Sequence, residues 1–70
     1  MKLSTRNQLP GTVVSITQGE AMAVVKVQLD AGSQTVTSSI TREAVADLGL
    51  AEGTRLLVLV KSTDVTLAVE

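Results

Sequence analysis

No cysteine, no histidine and no aromatic residue occurs anywhere in this 70-residue chain, and each absence closes off a class of function. Without cysteine or histidine there is no disulfide, thiol nucleophile, imidazole base or soft metal ligand. The carboxylates Asp30, Glu43, Asp47, Glu52 and Asp64 lack the spacing of a metal loop. A Ser4 or Ser62 hydroxyl activated by Lys61 is the one conceivable nucleophile, and neither serine lies in a strand-turn-helix elbow or near an oxyanion motif. The chain therefore reads as a non-enzyme with no metal site. Lack of Phe, Tyr and Trp removes the platforms on which proteins stack single-stranded bases.

Excess charge is missing too: 6 basic against 7 acidic residues give a net charge of −1. Such a chain offers no broad basic field to nucleic acid or anionic lipid, so any anion site must be local. A nucleic-acid module stays a second reading, limited to contacts through Arg6, Lys26 and Arg55. The longest purely apolar run, Leu56 to Val60, is too short to span a membrane, and no charged segment followed by a long apolar stretch opens the chain. A soluble, cytoplasmic protein is the expectation, although a cysteine-free chain suits any redox compartment.

A single domain over residues 1–70 is all that this length allows, and a domain this small buries only about 60% of its unfolded surface. Disulfides and structural metals are unavailable, which leaves self-association as the means of stabilising it. The 44% of residues that are hydrophobic exceed what one small interior needs. Extensive contacts between copies are therefore expected.

What is present is mainly strand pattern. Gly11, Gly19, Gly32, Gly49 and Gly53 punctuate segments of period-2 or continuous apolar character. A first strand is expected over Thr12 to Thr17, with Val14 and Ile16 on one face. A second, Ala21 to Leu29, sets Ala21, Ala23, Val25, Val27 and Leu29 toward the core. The stretch Asp30-Ala31-Gly32-Ser33 predicts a tight hairpin into a third strand, Gln34 to Ile40. Thr41 has the chemistry of an N-cap for a helix over Arg42 to Leu48 closed by Gly49, with Ala44, Val45 and Leu48 inward. Leu56 to Lys61, apolar on both faces, predicts a strand covered on one side by the interior and on the other by a partner. Alternating Val65, Leu67 and Val69 predict a last strand. Leu57, Leu59 and Met22 read as packing. The fold class expected is all-β: a five-stranded, OB-type Greek-key barrel with one short helix between strands 3 and 4.

Two polar runs remain, Ser4-Thr5-Arg6-Asn7-Gln8 and Lys61-Ser62-Thr63-Asp64. Arg6 offers a fork of N–H donors, Lys61 a compact charge, and Ser4, Thr41 and Ser62 neutral hydroxyls. The helix start at Thr41 adds the backbone amides of Arg42, Glu43 and Ala44. Together they suit an oxyanion, bound where copies meet. A pocket made of donors selects fully deprotonated dianions, because a protonated guest such as hydrogen phosphate needs an acceptor. Sulfate, molybdate and tungstate all satisfy that chemistry. Plainer roles compete: Ser4, Thr41 and Ser62 as caps or turn residues, Arg6 as a solvated arm or a partner for Asp64 of another copy, and Lys61 as a guard of a strand edge.

Ser4-Thr5-Arg6-Asn7-Gln8-Leu9-Pro10-Gly11, Leu48-Gly49-Leu50-Ala51-Glu52-Gly53 and Val60-Lys61-Ser62-Thr63-Asp64-Val65 together resemble the molbindins, the small molybdate-binding Mop proteins. The resemblance covers essentially the whole chain. It implies a transport-associated OB-type (TOBE) domain, shared with molybdate-responsive regulators and importer ATPases. It further implies a cytoplasmic hexamer, a trimer of dimers, that binds molybdate or tungstate as ligand for molybdenum storage or homeostasis, without a cofactor. By the same resemblance the oxyanion-binding positions are Ser4, Arg6, Thr41, Ala44, Lys61 and Ser62. Ala44 departs from the pattern, since related sequences often carry serine there and only its backbone amide can donate.

Overall fold

In the computed structural model, which describes residues 2–70, one long strand organises everything else. Strand β1 (Asn7–Gln18) pairs antiparallel with β2 (Met22–Leu29) along its second part, and with β4 (Arg55–Val60) along its first. Strand β3 (Thr35–Thr41) covers the other side of β2. Helix α1 (Arg42–Leu48) then leads the chain back across to β4. The strand order β3-β2-β1-β4 is that of a Greek key: three hairpin-linked strands, with a fourth returning beside the first. The result is a four-stranded antiparallel half-barrel.

Serving two partners explains why β1 outgrows the expected Thr12 to Thr17. Gly11 stands where the ladders overlap, opposite Leu29 of β2 and Leu56 of β4. A Cβ at this position would lie 2.7 Å from the Gln28 carbonyl oxygen and 2.7 Å from Val27 Cγ1, so only glycine admits such close strands. Past it, the register slips between Val13 and Ser15, leaving Val14 as the extra residue of a β-bulge. That bulge overturns the expected pairing of Val14 with Ile16 on one face. Val13 and Ile16 instead share the inward face, opposite Val27 and Val25, while Val14 points out. Beside the bulge, Val13 donates its amide to the Thr54 carbonyl and accepts from the Gly53 amide, which ties β1 to the turn before β4.

Locally coded features match their sequence signals. The β2–β3 hairpin closes through Leu29 N–H to the Gln34 carbonyl at 2.7 Å, with Gly32 and Ser33 at positive φ. Thr41 caps α1 by accepting from the Ala44 amide at 3.0 Å. Gly49, left-handed at φ 64°, ends the helix as its amide and that of Leu50 reach back to Ala46 and Val45. This reversal swings Leu50 onto the core and leaves Leu48 67% exposed, so Leu48 is not the inward residue expected. Ala23, Val25 and Val27 form the buried face of β2 as expected, and with Val13 and Val45 they complete the core. Among the described residues these five buried side chains make a thin interior.

The expected fifth strand is not formed in the single chain. After β4 a 3₁₀ turn at Ser62–Asp64 redirects the backbone, and residues 65–70 pair with nothing, leaving Leu67 92% and Val69 97% exposed. Their alternation is a strand pattern without a strand neighbour. The barrel therefore stays open between β3 and β4, the two outer strands. Leu57 and Leu59 on the outward side of β4 are left partly exposed, as is Met22 of β2.

Candidate oxyanion site

Both polar runs meet at one end of the β1–β4 ladder. Pairing of Asn7 with Val60 sets the residues just outside, Arg6 and Lys61, side by side. The Asn7 amide nitrogen Nδ2 donates to the Val60 carbonyl at 3.0 Å, and Gln8 Nε2 donates to the Thr5 carbonyl at 2.9 Å, which fixes the N-terminal arm against β4. Opposite, the 3₁₀ turn is closed by Asp64 N–H to the Lys61 carbonyl at 2.9 Å. Between arm and turn lies a cavity of about 180 Å³ lined by Ser4, Thr5, Arg6, Lys61, Ser62 and Thr63.

Its chemistry is lopsided. Four hydroxyls, a guanidinium and an ammonium line it, with no carboxylate among them. Among the described residues neither Arg6 nor Lys61 has a side-chain hydrogen bond or an ion pair. Two unpaired cations on the rim of one small cavity attract an anion, and the hydroxyls can turn their protons toward it. Four of the six residues expected from the sequence, Ser4, Arg6, Lys61 and Ser62, converge here. Thr5 and Thr63 were missed as wall residues, although they sit inside the same runs; the signal was the hydroxyl beside each cation.

Thr41 and Ala44 lie elsewhere. Thr41 ends β3, opposite Met22 on β2, whereas the cavity borders β4 at the far edge of the sheet. Nor is the helix start a set of open donors: the Arg42 amide bonds the Ala21 carbonyl at 2.9 Å, and the Ala44 amide bonds Thr41 Oγ1. Two of the three amides expected to be unpaired are thus engaged, because Thr41 does its capping work and the chain entering α1 is still held to the turn before β2. The Thr41 hydroxyl, having accepted that bond, keeps its own proton to donate.

A contrasting charge cluster closes the other end of the ladder. Arg55 Nη1 donates to Thr12 Oγ1 at 2.8 Å and to Asp30 Oδ1 at 2.6 Å, and Nη2 donates to Asp30 Oδ2 at 2.6 Å. The hydrogen bonds from Arg55, with its charge, hold the Asp30 carboxyl below its usual value, and Asp30 raises Arg55 in turn. This arginine is occupied by its own chain and has no free fork for a ligand.

Residues 3–67 match the TOBE domain. Over 65 residues, 93% of this chain and 94% of the relative, the sequence is 46% identical to molybdenum-pterin-binding protein 3 of Clostridium pasteurianum. The chain belongs to the molybdenum-pterin-binding (Mop) family. A molybdate-binding protein from Sporomusa ovata shares its fold with a TM-score of 0.87 at 37% identity, covering 97% of this chain and 98% of that one. ModG, described as a cytoplasmic molybdate-binding protein and solved with molybdate bound, matches 89% of this chain at 42% identity and a TM-score of 0.81. The match takes up 43% of the ModG chain. Membership in a family of binding proteins agrees with the reading of a non-enzyme.

Proposed function

We propose that this protein reversibly binds molybdate, and tungstate in the same way, as an intact tetrahedral oxyanion held by hydrogen bonds and charge. The observation that carries this reading is the cavity between Ser4–Arg6 and Lys61–Thr63, which has two unpaired cations and no carboxylate in its wall. Such a wall favours a fully ionised dianion, since each cation gains most from full charge and no carboxylate is present to take up a retained proton. The names of the Clostridium and Sporomusa relatives, and the molybdate in ModG, support the choice of metal oxyanion over sulfate.

Thr41 and Ala44 belong to this site only if another copy brings its helix start to the cavity, so we propose that the site is shared across an interface. A homo-oligomer, a hexamer built as a trimer of dimers, supplies such interfaces and covers Leu57, Leu59 and Met22. The role is storage and homeostasis of molybdenum in the cytoplasm, the compartment given for ModG.

The family name also raises a pterin conjugate as ligand. At about 180 Å³ the cavity is small beside the roughly 300–1,000 Å³ of pockets that enclose larger organic ligands. No aromatic side chain is present to stack on a ring system. The free oxyanion fits better.

Thermal unfolding followed with an external dye, in parallel with molybdate, tungstate, sulfate and phosphate, tests the reading. A ligand present at 100 times its Kd adds about 2.7 kcal/mol of stability. Stabilisation by molybdate and tungstate with little from phosphate is expected; equal stabilisation by all four, or by none, contradicts it. A gel shift with single-stranded nucleic acid and no response to molybdate would instead favour a nucleic-acid module.

A further inference from the structure

We infer that Asn7 is a positioning residue for the oxyanion site: its side chain holds the arm that carries Arg6 against the strand end that carries Lys61, and so sets the two cations side by side before a ligand arrives. The inference rests on the oxyanion reading above. It concerns how the site is kept in shape and not which anion fills it.

Asn7 is the first residue of β1 and stands opposite Val60, the last residue of β4. Its Nδ2 donates to the Val60 carbonyl at 3.0 Å from a partly buried position. That carbonyl lies in the planar peptide unit that also contains the Lys61 amide, so fixing the oxygen fixes the plane from which Lys61 projects. The plane on the other side of Lys61 is held as well, since the Lys61 carbonyl accepts from the Asp64 amide at 2.9 Å. Between two anchored planes the Lys61 backbone is set at φ −61° and ψ 138°, and its side chain is left for a ligand.

Among the described residues the Asn7 bond is the one side-chain hydrogen bond between residues 2–8 and residues 55–64. The Gln8 bond to the Thr5 carbonyl curls the arm on itself and does not cross to β4. Arg6 and Lys61 lie just beyond the Asn7–Val60 rung, where a ladder frays most easily. Like charges facing each other across strands add to that tendency, because they repel. A side chain that closes the last rung opposes both effects, and an arm already in place spares the anion the cost of ordering it. Asparagine suits the task by its chemistry: the amide donates to a carbonyl without adding charge. An aspartate of the same shape would offer only acceptors when ionised, and would give the two cations a carboxylate in their own chain, as Asp30 does for Arg55.

Calorimetry with molybdate on the full chain, at a temperature well below unfolding, compares the parent with Asn7→Ala. Loss of one neutral hydrogen bond that holds the binding arrangement should lower the affinity about 2- to 12-fold, with the β circular dichroism and the sedimentation of the parent retained. An affinity equal to the parent's would overturn the inference. So would a loss of affinity that appears only together with altered sedimentation, which would assign the bond to contact between copies. A parent that does not bind molybdate would remove the function proposed above, and this inference with it.

A second variant separates holding the arm from touching the anion. The chain has no cysteine, and directly opposed antiparallel residues have Cα atoms about 4.5–5.5 Å apart, within the range that a disulfide spans. Asn7→Cys combined with Val60→Cys replaces the hydrogen bond by a covalent link at the same rung. Oxidised, the double variant should recover the parent's affinity; reduced and freed of reductant, it should bind as weakly as Asn7→Ala. Equal affinity in the two states, or no recovery on oxidation, would overturn the positioning role while leaving the anion site itself in place.

Discussion

At one end of the β1–β4 ladder Arg55 is bonded to Thr12 and Asp30, whereas at the other end Arg6 and Lys61 stand beside each other with no such partner among the described residues. Composition does not separate the two ends, since each combines cations with hydroxyls. What differs is the supply of a carboxylate. The β2–β3 hairpin delivers Asp30 to Arg55, and the cavity wall at the opposite end contains none. A cation matched within its own chain stabilises the fold, and one left unmatched is available to a ligand.

The comparison is broken most severely at Gly11, where β1 changes partners. Gly11→Val forces a side chain into the Gln28 carbonyl and Val27, and a loss of about 3 kcal/mol or more is expected from such overpacking. Urea unfolding measures it. If the variant is as stable as the parent, the close crossing of strands does not hold the ladder together.

Next in size is the donor-lined end. Arg6→Ala and Lys61→Ala should each weaken molybdate binding by about 1.5–3 kcal/mol, roughly 10- to 150-fold, the worth of a hydrogen bond to a charged group. Stability without ligand should barely move, as neither side chain bonds its own chain. Calorimetry and unaltered thermal unfolding of the apo variants check both halves; unchanged affinity in both variants would remove the site.

Thr41 sharpens the contrast, because it serves both purposes. Thr41→Ala removes the cap on the Ala44 amide, costing about 1 kcal/mol of stability. In the shared site proposed here it weakens molybdate binding as well, and Thr41→Ser restores both. A variant that loses stability with full affinity would confine Thr41 to capping.

The smallest effect belongs to the exposed Asp30–Arg55 pair. Asp30 titrates below its ordinary value of 3.8 in the folded chain, chiefly through the hydrogen bonds from Arg55. The pair's contribution is therefore complete above that ordinary value and fades as pH falls through the lowered one. Unfolding curves of the parent and Asp30→Asn should differ slightly at neutral pH and converge in strong acid. A gap that persists there would assign the stability to something other than this ionisation.

Legibility followed the range of the signal. The helix Arg42–Leu48, its Thr41 and Gly49 caps, and the turn at Gly32 were readable because each is written in neighbours a few residues apart. The inward row of β2 was readable from alternation alone. The bulge at Val14 escaped, since it answers the join of β1 to two partners and the bonds from Val13 to Gly53 and Thr54. Leu48 looked inward on helical spacing, yet the reversal at Gly49 hands its place to Leu50. The expected fifth strand is not formed, because the alternation of Val65, Leu67 and Val69 specifies two faces and not a neighbour to pair with. Four of the six expected residues, chosen for their donor chemistry, line the one cavity; Thr5 and Thr63 joined its wall only once the cavity had a shape.

By itself the sequence determined what this protein lacks for catalysis, where its turns and caps fall, and which donors it holds in reserve, because those properties reside in residue types and short spacings. Tertiary structure alone decided that residues 4–6 and 61–63 face one another, that Arg55 is taken and Arg6 is not, and that the sheet ends open. Each of these depends on the register of strands nearly fifty residues apart, and register is set by how whole faces pack, which no local run of residues encodes.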